Sequence, residues 1–120
     1  MITAERSTIE RNLAVLADVI ESPDFEGRLL GIHLEGPFIS PHKGAVGAHP
    51  PQHTLVPAAH DGCRLLDEWQ AIARGRIRLL TLAAEVEGAA ELCAHAVRNH
   101  GIAVSLGRTP LQIPHTTHKT

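Results

Sequence analysis

Aromatic residues are nearly missing from this 120-residue chain, which has two Phe, one Trp and no Tyr. Single-stranded nucleic acid is held by stacking bases on aromatic side chains, so a platform of that kind is excluded. A positive excess is missing too, with 11 Lys plus Arg against 13 Asp plus Glu. Without a basic stripe to track a phosphate backbone, nucleic acid is not an expected partner. No apolar run reaches the roughly 18 residues of a membrane span. Met1 to Arg11 is a mixed polar segment without the apolar region of a signal peptide, so no membrane partner is expected and the cytoplasm is the expected compartment. Cysteine is scarce. Cys63 and Cys93 stand on separate helical stretches, which argues against a disulfide framework or a Cys-based zinc site and for plain buried or half-buried thiols.

What the chain has in excess is histidine, nine in all. His is the commonest metal ligand, yet most single histidines are surface or hydrogen-bonded side chains, so position decides and number does not. The length suits one small domain with a modest core.

The stretch with most chemical content is Gly31-Ile32-His33-Leu34-Glu35-Gly36-Pro37-Phe38. Ile32 and Leu34 alternate with His33 and Glu35, so a strand here puts two apolar side chains on one face and two ionisable ones on the other. A lone buried Glu costs several kcal/mol or is neutralised unless a cation, metal or donor meets it. Gly36-Pro37 stops the strand and leaves Glu35 at its carboxyl end, where α/β sheets keep their sites. Glu35 is thus either a metal-site carboxylate or a structural Glu paired to a donor. His33 reads as satisfying a neighbouring group rather than ligating metal.

Around this stretch the chain alternates. Ser7-x-x-Glu10 has the form of a capping box, and Ile9, Leu13, Leu16 and Ile20 give the apolar face of a helix of about 13 to 15 residues, ended by Ser22-Pro23. Leu29 to Leu34 is the expected first strand. Gly36 to His60 has no helical or strand period and five prolines, which suggests a functional loop. Asp61 can cap a helix with Leu65, Leu66, Trp69, Ile72 and Ala73 inward, terminated at Gly75. Ile77 to Leu82 is a buried strand leading to Glu85. Val86 to His100 is a helix with Ala89, Ala90, Cys93, Ala96 and Val97 inward, and Ile102 to Leu106 a third strand. The pattern predicts a parallel α/β sheet with right-handed crossovers. It brings Glu35, Glu85 and the turn Gly107-Arg108-Thr109 to one edge. Arg108 to Thr120 has neither period and is expected to be an irregular tail, leaving the third strand as an exposed edge.

Of the remaining histidines, His42, His53 and His60 read as solvated loop residues. His95 and His100, five apart on a helix, are expected not to face each other. His115-x-x-His118 is at most a weak metal pair in the tail.

His33-Leu34-Glu35-Gly36-Pro37-Phe38-Ile39-Ser40, Lys43-Gly44-Ala45, Gly47-Ala48-His49, Thr81-Leu82-Ala83-Ala84-Glu85 and Gly101 to Gly107 resemble, in order and spacing, the N-acetylglucosamine-6-phosphate deacetylases of the amidohydrolase superfamily. The resemblance runs from about Leu29 to Thr109. It implies a (β/α)8 TIM barrel, of which this chain would hold about three strands in residues 1–107, with residues 108–120 as tail. It implies hydrolysis of the N-acetyl group of an amino-sugar phosphate to glucosamine 6-phosphate and acetate, with a divalent metal, zinc foremost, as cofactor.

Residue by residue, the resemblance makes Glu35 the metal-binding glutamate and His49 a substrate contact, with two extra residues, Val46-Gly47, in that loop. Glu85 matches a carboxylate that is structural or supports the metal ligands from behind, with Ala84 where proline is usual. The departure is Arg108, which stands where the family has a metal-binding His. A guanidinium stays protonated and has no lone pair to give. The family's second metal-binding His and its catalytic Asp are expected beyond this chain, so no catalytic residue is assigned. The expected behaviour is therefore a deacetylase-like chain inactive as it stands. The alternative is a truncated, non-catalytic fragment or interaction module, whose uncovered helix faces would favour association with another chain, a homo-oligomer included.

Overall fold

The computed structural model describes residues 1, 3–25, 27–38 and 53–106. Helix α1, Arg6–Glu21, buries Ile9, Leu13, Ala17 and Ile20, one stripe at helical spacing. It starts two residues earlier than the capping box suggests, with Glu5 at the cap in place of Ser7 and no side-chain capping bond. Ser7 Oγ instead donates to Glu5 Oε1 at 3.0 Å. The capping box does not form because Glu10 is used elsewhere: its Oε2 accepts from Arg6 Nε at 3.0 Å and from the indole Nε1 of Trp69 at 3.2 Å. Ser22, extended before Pro23, ends the helix as expected.

Strand β1, Ile32–Glu35, is shorter at its start than predicted, and Leu29 and Leu30 are exposed. The reason is pairing: Ile32 N donates to Arg76 O at 2.8 Å, and no strand residue lies further back to receive Leu29 or Leu30. Gly31 passes so close that an added Cβ would lie 2.8 Å from the Arg76 carbonyl oxygen and strike the Arg78 side chain. A one-turn helix α2, Pro57–His60, then leads into α3, Gly62–Ile72. Asp61 caps α3 as predicted, accepting from Arg64 N. The end of α3 is a Schellman turn: Arg74 N donates to Ala71 O and Gly75 N to Gln70 O. Arg74 itself takes the left-handed conformation at φ 54°, so the turn begins one residue before the expected Gly75.

Strand β2, Ile77–Leu82, helix α4, Ala89–His100, and strand β3, Ala103–Leu106, complete the described fold. The strands lie in the order β1-β2-β3, all parallel. Helix α4 starts three residues later than predicted and buries Ala89, Leu92 and Ala96 rather than the neighbouring stripe of Ala90, Cys93 and Val97. Val97 is 51% exposed. The longest apolar side chain of the helix, Leu92, takes the inward position and turns Val97 out. Strand β3 is mostly exposed, as an edge strand with unsatisfied sides is expected to be.

One core holds these elements together. Leu13 of α1, Leu34 of β1, Leu66 and Trp69 of α3, Leu80 of β2 and Leu92 of α4 are all fully buried in the same cluster. Phe38, just beyond β1, joins it, with its ring centroid 5.9 Å from that of Trp69. Around the rim, Arg74 meets Asp18 at 2.6 Å and Arg76 meets Glu21 at 3.3 Å, tying α1 to the entry of β2.

Candidate functional site at the carboxyl ends of the strands

Because Leu34, Leu80 and Leu82 point into the helical core, strand alternation turns His33, Glu35, Thr81 and Ser105 to the opposite face. Register makes a polar row of Glu35, Thr81 and Ser105 across the three strands. His33 Nε2 lies 2.8 Å from Thr81 Oγ1, so His33 satisfies a neighbouring hydroxyl as expected. The backbone around Glu35 is pinned on both sides. Its N–H donates to Met1 O at 2.7 Å, and Gly36 N donates to Thr81 O at 3.1 Å. Beyond it, Pro37 O accepts from Leu55 N and Phe38 O from Ala83 N. Phe38 is therefore an anchor that fixes where the Glu35 turn ends.

Glu85 stands three residues past β2. Both its carboxylate oxygens are buried and have no hydrogen-bond partner among the described residues. A native structure keeps such a group only for a reason. His49 and Arg108 lie outside the described residues, as do His42, His115, His118 and the tail. Around Glu35 no group of three metal-ligating side chains forms among the described residues. Glu35 thus stands at the carboxyl end of β1, and the described residues do not complete a metal centre around it.

Two further features were weakly signalled or missed. His53 and His60, which the sequence leaves as unrelated loop residues, line one cleft of about 190 Å³ with Arg6 and Leu65. His60 closes α2, and its Nδ1 lies 3.1 Å from Val56 O. A second cleft, about 210 Å³, is lined by Cys63, Gly88 and Glu91. Burial first, then the charges of Glu91, Asp61 and Asp67, push the Cys63 thiol up from its ordinary value, so it is no thiolate nucleophile.

The larger surprise joins α3 to α4. Asp67 Oδ1 lies 2.6 Å from both His95 Nε2 and His100 Nε2, and the two imidazole rings meet edge to face with centroids 5.5 Å apart. The expectation that His95 and His100 do not face each other is wrong. Residues five apart do point to different sides of an isolated helix, but His100 is the last residue of α4, and Asp67 from α3 gives both rings one target. Single-helix spacing carries no signal of this, because the third member comes from another helix. The hydrogen bond from His95 holds Asp67 below the usual carboxylate range against the opposing effect of burial, with the His100 bond and the two imidazole charges adding to it.

Parallel strands, crossover helices and a polar face at the strand ends make this chain a partial α/β barrel. Its sequence and fold match a segment of N-acetylglucosamine-6-phosphate deacetylases. The chain is 39% identical over 89 residues to the enzyme of that name from Bacillus subtilis, covering 74% of this chain and 21% of the relative. It is 31% identical over 108 residues to an N-acetylgalactosamine-6-phosphate deacetylase of Escherichia coli, covering 90% of this chain and 27% of the relative. Among solved structures, the N-acetyl-D-glucosamine-6-phosphate deacetylase of Mycobacterium smegmatis superposes with a TM-score of 0.76 at 29% identity, over 89% of this chain and 25% of that one. A variant of the same enzyme, solved in complex with N-acetyl-D-glucosamine-6-phosphate, superposes equally well. The chain therefore spans about a quarter of the proteins it matches. No protein-family model matches it.

Proposed function

We propose that this chain forms the early strands of a deacetylase barrel that hydrolyses the N-acetyl group of an amino-sugar phosphate. Residues 1–107 are the barrel part and residues 108–120 a tail. The observation that carries this reading is Glu35, held at the carboxyl end of β1 beside Thr81 on the polar face, within the segment that the relatives share. In the complete site Glu35 would help hold a divalent metal, zinc foremost, which accepts carboxylate oxygen and would polarise the amide carbonyl. His33 and Thr81, bonded to each other, fix the floor beside it. His49 contacts the sugar phosphate.

The 120-residue chain does not perform the reaction by itself. Arg108 brings a fixed positive charge to the position where a neutral metal-binding imidazole is needed, and the described residues do not build a set of three ligands around Glu35. The test is acetate release from N-acetylglucosamine 6-phosphate by the purified chain with added zinc. No turnover is expected, and Arg108→His does not restore it. Turnover comparable to a full-length relative would overturn the inactivity. The deacetylase reading itself fails if the chain, alone or with a relative's missing barrel portion supplied, never binds the sugar phosphate.

A second reading, an interaction module, is favoured by β3, a mostly exposed edge strand whose Leu106 is 64% exposed. Sedimentation separates the two: a module of this kind self-associates or pairs with another barrel segment, and a monomer at high concentration speaks against it.

A further inference from the structure

The helix pair α3–α4 carries a ligand set that the deacetylase reading does not use. Asp67 Oδ1, His95 Nε2 and His100 Nε2 all lie within 4.8 Å of one another, from two elements of regular secondary structure. We propose that Asp67, His95 and His100 form a second metal site, binding a borderline divalent transition ion such as zinc or cobalt and clipping α3 to α4.

Donor chemistry comes first. Two imidazoles and one carboxylate are the ligands that zinc-class ions accept, and oxygen-seeking calcium or magnesium would not select them. Geometry agrees with modest adjustment. Metal–ligand bonds of about 2.0 to 2.2 Å in a tetrahedron place neighbouring ligand atoms roughly 3.3 Å apart. The two Nε2···Oδ1 separations of 2.6 Å open to that value by small side-chain rotations as the ion replaces the shared protons. Asp67 is about half exposed, with 48% of its side chain accessible, so an ion can enter and the fourth position stays open to water.

Asn99 sits beside the other ring nitrogen of His95, with its amide Nδ2 3.1 Å from Nδ1. Turning that amide end for end brings Oδ1 to the same place, where it accepts the Nδ1 proton and leaves Nε2 free for the metal, the usual support of a metal-bound histidine. Position gives the role. Helix α4 ends at His100 and turns through Gly101 into the start of β3, so His100 lies by the amino ends of the strands, away from Glu35. In barrels that end serves stability and the carboxyl end serves chemistry. The site is a structural clip.

The test uses the full chain without a polyhistidine tag. Zinc is titrated by calorimetry and cobalt by its visible ligand-field absorption, with far-ultraviolet circular dichroism reporting the fold. One ion per chain is expected. His95→Gln and His100→Gln each weaken binding by about tenfold or more, Asn99→Ala by about tenfold, and Asp24→Asn, at an exposed loop carboxylate, leaves it unchanged. Zinc should also shift the ring nitrogen resonances of both histidines in the unsubstituted chain, which decides the matter if a variant fails to fold. Absence of saturable binding, binding indifferent to both histidine variants, or an equal loss in Asp24→Asn would each overturn the proposal. So would a chain that stays unfolded at saturating zinc, because ions that bind only the folded site add their binding energy to folding.

Discussion

Gln70 bonds Ile77 twice: its Nε2 donates to the Ile77 carbonyl at 3.1 Å, and its Oε1 accepts from the Ile77 N–H at 2.9 Å. The side chain is buried, so the last turn of α3 supplies the first residue of β2 with the backbone partners a further strand would otherwise give. Gln70→Leu keeps the volume and removes both bonds, leaving two backbone groups unpaired at about 1 to 3 kcal/mol each. Urea unfolding should show a loss of about 2 to 6 kcal/mol. A loss below about 0.5 kcal/mol would mean that water replaces the amide without cost.

Two glycines offer a matched comparison. Gly75 and Gly88 both have positive φ, 78° and 87°, but a Cβ on Gly75 meets nothing within 4 Å, whereas one on Gly88 would lie 2.6 Å from Ala58 N. Gly75→Ala should therefore cost only the left-handed strain, about 1 to 2 kcal/mol. Gly88→Ala adds a clash with the backbone of α2 and should cost about 2 to 5 kcal/mol. Thermal unfolding of the two variants side by side checks the order. Equal costs would show that the turn before α4 yields freely.

How much of this was legible in the sequence depends on the range of the interaction. Order and type of the elements, the parallel sheet and the split of Ile32 and Leu34 from His33 and Glu35 follow from local periodicity. Boundaries failed where a distant partner decided them. Ser7 lost its capping role because Trp69 claims Glu10, and Leu29 found no strand to pair with. The role of Gln70 carries no local signal, because its partner Ile77 belongs to the next strand. The Asp67–His95–His100 group was hidden for the same reason, since its members come from two helices. At the candidate site, Glu35 could be singled out from its strand and turn alone. That Glu85 keeps both oxygens buried without a hydrogen-bond partner among the described residues has no local signal, because the burial comes from packing across elements.

Phe38 links the Glu35 turn to the core, fully buried with its ring 5.9 Å from Trp69. Phe38→Ala should cost about 3 to 5 kcal/mol, the range for deleting a buried aromatic. Because Phe38 O also receives Ala83 N, protection of the Ala83 amide in hydrogen exchange should fall with it. Unchanged Ala83 protection in a folded Phe38→Ala chain would show that the backbone holds the turn without the ring.

Cys63 sets a pH limit at the alkaline end. Burial, followed by the charges of Glu91, Asp61 and Asp67, raises its thiol above the ordinary value of 9.0, so the folded chain keeps this proton to higher pH than the unfolded chain. Where the unfolded state has fewer protons bound, stability falls as pH rises. The contribution of Cys63 is therefore fully present below the ordinary thiol value and is lost as pH climbs through the raised one. Two measurements follow from the same shift. Alkylation of Cys63 in the folded chain should reach half its limiting rate at a higher pH than in the urea-unfolded chain. Cys63→Ala should flatten the alkaline fall of the urea midpoint relative to the unsubstituted chain. A folded-state alkylation midpoint at or below the unfolded one would show that Glu91 and Asp61 leave the thiol unaffected, and the assignment of Cys63 as a non-nucleophile would fall with it.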